Sequence, residues 1–158
     1  MLAASFTGAA QTTPPEYVMK SDRPPTGSNI RREEVRGTAV PMDRTYEQLT
    51  PEQRAIVHGW YESIAPGDEP PFPTEGTKPI HDAVRKGQAK LLVTGELFLK
   101  ATVESTGDVS AVKAVGSPSP EMTKFAASVL LLTKFKPAVC GGRPCQMDFP
   151  LWYTFHVR

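Results

Sequence analysis

Proline placement constrains this chain more than any other feature. Eleven of its sixteen prolines fall between Pro14 and Pro79. There they interrupt helices and sheet ladders alike, so regular structure must be built mainly from the residues after Ile80. Residues 1–44 carry the pairs Pro14-Pro15 and Pro24-Pro25, few aromatics and the mixed-charge run RREEVR, Arg31 to Arg36. Such a segment cannot bury enough apolar surface to hold a fold and is expected to be an extended or disordered N-terminal arm. Residues 45–158 then form one domain, since 158 residues suffice for one core but not for two.

Past Lys90 the hydrophobic period becomes two. In GELFLKATVE, Leu97, Leu99, Ala101 and Val103 share one face, and Glu96, Phe98, Lys100 and Thr102 take the other. The turn STGD, Ser105 to Asp108, uses Gly107 for its special backbone angle, and VSAVKAV returns as the second strand of a hairpin. The last segment, QMDFPLWYTFHVR, alternates Met147, Phe149, Leu151, Tyr153, Phe155 and Val157 against Asp148, Trp152, Thr154 and His156. Pro150 cannot donate to a ladder, so this strand is expected to have one free edge.

Three helices are expected around these strands. Thr50, Pro51 and Gln53 write a helix start, and Ile56, Trp60 and Ile64 continue it as one apolar stripe. KPIHDAVRKG predicts a short helix with Ile80, Ala83 and Val84 on its inner face and Gly87 as terminator. Ser119 and Pro120 open a core helix whose inner face is Met122, Phe125, Ala126, Val129 and Leu132 or Leu130. PGDEPPFPTEG, Pro66 to Gly76, reads as loop or polyproline-like backbone.

The two cysteines, Cys140 and Cys145, flank Gly141-Gly142 and Pro144. Their spacing is not that of a thiol oxidoreductase, and two cysteines alone cannot complete a four-cysteine zinc site. A disulfide across the glycine turn is expected, worth roughly 2 kcal/mol and implying an oxidising compartment; two reduced loop thiols are the alternative. The small apolar start, Leu2 to Ala10, reads either as the remnant of a secretory signal or as a flexible chain end. Eighteen basic against seventeen acidic side chains give a net charge of +1, so the whole-chain balance offers no field to draw in nucleic acid or an anionic membrane. No run reaches the roughly eighteen apolar residues a membrane span requires.

Helix, hairpin, helix and strand, with DEPPFP ahead and FKPA after the last helix, resemble the TonB C-terminal domain family over Pro70 to Val157. DEPPFP stands where the family has a Gln-Pro-x-Tyr-Pro-like opening, and FKPA is similar to its Phe-x-Pro-Ala signature. The resemblance implies an α+β fold, two helices packed on one face of a three-stranded antiparallel sheet, here with an extra N-terminal helix. It also implies a periplasmic location and a protein or peptide partner, such as an outer-membrane receptor, bound by strand addition at the last strand. The cysteines are additions to the family pattern, and the long charged proline linker of its energy-transducing members is not seen in this chain.

On that reading Gln146, Asp148, Pro150, Trp152, Thr154 and His156 are the partner-binding positions. The same edge offers pairing with a second copy of the chain. An inhibitor or immunity-type protein on the same scaffold is the alternative function, and an enzyme is the lesser one. His58, His81 and His156 lie in different elements without ligand spacing, so neither a metal nor another cofactor is expected. His81-Asp82 sit about 100° apart on a helix and are expected to be solvated surface side chains rather than a catalytic pair. No nucleophile stands at recognisable spacing from a base, and no phosphate-binding loop is present.

Overall fold

The computed structural model describes residues 18–19 and 40–157. The leader-like start and most of the expected arm lie outside the described residues. In chain order the elements are strand β1 (Val18–Met19), a 3-10 turn (Tyr46–Gln48), helix α1 (Pro51–His58), and strands β2 (Tyr61–Ser63) and β3 (Phe72–Pro73). Next come helix α2 (Lys78–Leu91), strands β4 (Gly95–Val103) and β5 (Val109–Gly116) and helix α3 (Pro120–Leu132). Strands β6 (Phe135–Lys136), β7 (Ala138–Cys140), β8 (Arg143–Cys145) and β9 (Met147–Phe155) complete the chain. The fold is α+β, with three α-helices and antiparallel sheets among the described residues.

The main sheet has the order β5-β4-β9. Leu97, Leu99, Ala101 and Val103 of β4 and Phe149, Leu151 and Phe155 of β9 share one core with Ile80 and Val84 of α2 and Met122, Ala126 and Leu130 of α3. The period-two pattern thus gives the sheet its inner face, and two helices cover it. The opposite face is not left to water. Phe98 is only 4% and Lys100 only 6% exposed, and the Phe98 ring lies 4.7 Å from that of Trp152.

Helix α1 opens as expected. Thr50 accepts from the Gln53 N–H at 3.3 Å, and the Gln53 side chain accepts from the Thr50 N–H at 2.9 Å. It does not continue to Ile64. The helix stops at His58, the chain turns through Gly59 and Trp60, and Tyr61–Ser63 become a strand paired with Val18–Met19. Tyr61 explains the break: its hydroxyl donates to the Asp148 carbonyl at 2.6 Å, which ties this segment to β9. Val57, rather than Ile56, is the fully buried residue of α1.

Gly87 is likewise not a terminator. Helix α2 runs on to Leu91 and is capped by Leu92 in the left-handed conformation, φ 49°. Gly87 sits where α2 meets α3, because a Cβ there would stand 2.6 Å from the Phe125 ring. Phe125 lies across that glycine with part of its ring in solvent, and Leu130, not Leu132, fills the inner face of α3. The Pro66–Gly76 segment, expected as loop, contributes the two-residue strand β3, which pairs with β6 and places Phe72 fully in the core.

Gly107 and Gly141 separate two reasons for glycine. Both have positive φ, 89° and 57°, but a Cβ at Gly107 would meet the Phe135 carbonyl oxygen at 2.1 Å, whereas Gly141 has nothing within 4 Å. Gly107→Ala is therefore expected to cost roughly 2 kcal/mol or more, and Gly141→Ala only about 1 kcal/mol, the backbone cost alone. Urea denaturation of both variants checks the order; equal losses would show that the Phe135 contact carries no weight.

Candidate functional site

The structure brings the sequence-predicted residues together along β9 and at its approach. Cys140 and Cys145 form a disulfide, with Cα atoms 5.8 Å apart, across a hairpin in which Ala138 pairs with Cys145 and Cys140 with Arg143. Gly141 and Gly142 supply the two consecutive positive φ values that a two-residue hairpin turn needs. The Gly141 N–H donates to Asp68 at 3.0 Å, and Val139 and Glu69 exchange two main-chain hydrogen bonds of 2.9 Å. The disulfide hairpin is thereby fastened to the loop ahead of β3.

Strand β9 pairs with β4 over nine consecutive positions, from Gly95↔Phe155 to Val103↔Met147, without a bulge. The other sheet edge differs. The partners of β4 on β5 jump from Gly116 to Ala114 and from Ala111 to Val109, so Val115 and Ser110 are extra residues. Of the predicted partner-binding positions, Gln146 precedes the strand and donates to Glu104 at 2.8 Å. Asp148 accepts from the Thr102 hydroxyl at 3.1 Å, and Trp152 packs on Phe98. Pro150 is half-buried opposite Lys100, Thr154 is exposed within the strand, and His156 is exposed beyond its end.

An antiparallel strand turns the main-chain groups of alternate residues to opposite edges. Pro150 has no N–H to give β4, so the even positions of β9 present their main chain to the outer edge. The bond from Tyr61 to the Asp148 carbonyl agrees with this. Tyr61 thus occupies the outer edge near the start of β9, and the second half lies beyond its reach.

Burial also shifts the groups around β9. His81 is half-buried rather than solvated, and its Nδ1 meets the Tyr153 hydroxyl, with ring centroids 5.2 Å apart. Burial raises the Tyr153 hydroxyl well above its ordinary range and lowers His81. Asp82 is turned away to Lys78 at 2.5 Å and Arg85 at 2.8 Å, so the His81-Asp82 neighbours form no pair. Lys100 is also lowered, first by burial and further by Lys113, against the pull of Asp148.

A second constellation had no sequence signal beyond the helix start that aligns Arg54 and His58 one turn apart. An open cavity of about 470 Å³ is lined by Tyr46, Arg54, His58, Asp68 and Glu69, among others. The Tyr46 hydroxyl meets His58 Nε2 at 3.1 Å, with Arg54 at 4.9 Å and Lys136 at 4.7 Å from the Tyr46 ring centroid. Lys136 pairs with Glu69 at 2.8 Å, and Arg54 donates to the carbonyls of Tyr46 and Glu47. Burial lowers His58 and raises Tyr46. Each of these groups has a partner that ties the first helix to the loop and β6, which is the work of a structural network. Among the described residues, no group of three or more His, Cys, Asp or Glu side chains is arranged to hold a metal ion.

No family model matches the sequence, and no curated protein matches it.

Reducing the disulfide, or replacing both cysteines by alanine, is expected to cost about 2 kcal/mol, because the closed loop is short; calorimetry with and without a dithiol reads this, and an unchanged melting temperature would refute it. Burial holds His81 and His58 below the ordinary value of 6.5, so on acidification the unfolded chain takes up these protons before the folded chain does. Their stabilising contribution is intact above pH 6.5 and is lost as the pH falls toward the lowered folded-state values. Denaturation midpoints between pH 7.5 and 5, with His81→Gln showing a shallower decline than the parent, check it.

Proposed function

We propose that this chain is a periplasmic, TonB C-terminal-like protein-binding module that accepts an extended segment of a partner protein as a fourth strand along the outer edge of β9. The observation that carries this reading is the contrast between the two sheet edges. β5 is bulged twice, a feature that blunts an edge against further pairing, while β9 keeps nine regular pairs. A straight strand presents evenly spaced donors and acceptors, which is what a backbone-recognising partner requires.

Pro150 removes one donor from this edge, so an added strand would register on the second half of β9, with Thr154 inside the contact. The disulfide supports an oxidising compartment, and its hairpin stiffens the approach to β9. The outward side chains at 152–156 would supply selectivity and the main chain affinity. An outer-membrane receptor segment is the partner that the family resemblance favours.

The test uses peptides selected from a displayed library of extended sequences, with affinity measured by calorimetry on the full chain. Trp152→Ala is a blunt probe because the indole also packs on Phe98. Thr154→Pro is sharper, since it deletes one outward N–H at an exposed position. It is expected to weaken binding by roughly tenfold or more, while Thr154→Val stays close to the parent. Equal affinity for the proline variant, with its fold intact by circular dichroism, would rule out strand addition at β9.

A further inference from the structure

The net charge of +1 conceals a local segregation on the helix layer. On α2, Lys78 and Arg85 are held by Asp82, which also attracts Lys86 from farther off, and the exposed Lys86 and Lys90 form no ion pair within 4 Å among the described residues. Lys124 of α3 is exposed in the same way, with the exposed Glu121 one turn ahead of it, so the patch carries three cations against one carboxylate. Beside these cations stand three large apolar side chains: Leu91 at 39%, Leu92 at 62% and Phe125 at 37% exposure.

Two contacts bring the end of α2, which carries Lys86, Lys90, Leu91 and Leu92, beside the start of α3, which carries Lys124 and Phe125. The Phe125 ring lies over Gly87, next to Lys86 and one turn before Lys90 and Leu91, and Pro118 ahead of α3 stands 3.4 Å from a Cβ placed on Gly95, three residues past Leu92. Leu92 carries a second signal. It holds the left-handed cap position, φ 49°, where glycine or asparagine is the ordinary residue, and yet its side chain points largely into solvent. The helix end gains nothing from a leucine there.

We propose that this patch seats the protein on an anionic lipid bilayer surface, with Lys86, Lys90 and Lys124 at the headgroups and Leu91, Leu92 and Phe125 among the outer acyl carbons. The charges decide between occupants. A second copy docked face to face would bring two net-positive patches together, three lysines against Glu121 in each, whereas anionic headgroups complement the excess. Protruding leucines flanked by lysines need no shaped socket in lipid, and the lysine stems let their amines reach the interface. No described helix is long and apolar enough to cross a membrane, and the proposed contact is a surface one that requires no span. It rests on the helix layer alone and is independent of any strand added at β9.

Cosedimentation of the full chain with large vesicles tests it, comparing phosphatidylcholine alone with phosphatidylcholine containing phosphatidylglycerol. Binding is expected only to the anionic vesicles, and it should fall as salt rises. Charge reversal at Lys86, Lys90 and Lys124 to Glu is expected to weaken it by roughly tenfold or more. Leu91→Ser with Leu92→Asn should also lose about tenfold; asparagine suits the cap, so the fold is retained and circular dichroism verifies this. Absence of binding at low salt, equal binding to neutral vesicles, or no effect of the charge reversal would each overturn the proposal. So would sedimentation showing a dimer that the leucine variant dissociates, because the patch would then belong to a second copy.

Discussion

Strand β4 is hydrogen-bonded along both edges, to β5 and β9, and its central side chains, Leu97 to Ala101, are buried on both faces, so the other elements are arranged to meet what this strand leaves uncovered. Its odd residues, Leu97 to Val103, require an apolar cover, which Ile80 and Val84 of α2 and Met122, Ala126 and Leu130 of α3 provide. Fully burying each of the Leu, Ile, Val and Met side chains among them is worth about 1.5–3 kcal/mol, so this contact dominates the hydrophobic contribution to the fold. The even face is more costly. Lys100 is buried there, and its depressed pKa records the penalty of taking a charge out of water.

With β4 fixed, the sheet has two unlike edges. Extra residues at Ser110 and Val115 interrupt the pairing of β5, whereas β9 keeps an unbroken register with β4 and is engaged on its outer side near its start by Tyr61. The disulfide hairpin, fastened to the loop at Asp68 and Glu69, leads directly into β9 and orders the turn before it. The helix layer is the remaining surface. It turns its apolar stripes to the sheet and leaves, at the end where α2 stops, an exposed group of leucines, phenylalanine and lysines that the core does not consume.

Much of this was legible in the chain. Alternation around Leu97 and Leu99 marked the central strand, Gly107 marked the hairpin turn, Ser119 with Pro120 marked the start of α3, and Pro150 marked an edge. These signals are local, because a period, a cap or a missing N–H acts within a few residues. Other signals were misleading for the same reason. Ile56, Trp60 and Ile64 have helical spacing, but the Tyr61 hydroxyl finds the Asp148 carbonyl 87 residues away, and that bond favours a strand. Gly87 looked like a stop and is instead a gap for Phe125.

The candidate sites divide along the same line. The sequence by itself determined the edge strand, the disulfide turn and the alternating faces of β9, since each follows from residue type and spacing. Only the tertiary structure decided that β9 rather than β5 is the regular edge, that His81 meets Tyr153, and that Tyr46, His58, Glu69 and Lys136 form one network. It also decided that Phe125 of α3 lies over Gly87 of α2 and that Pro118 approaches Gly95, which sets the end of α2 beside the start of α3. Each of these joins residues far apart in the chain, and such neighbours are set by how the helices and strands close around β4, a global packing solution that no local pattern encodes.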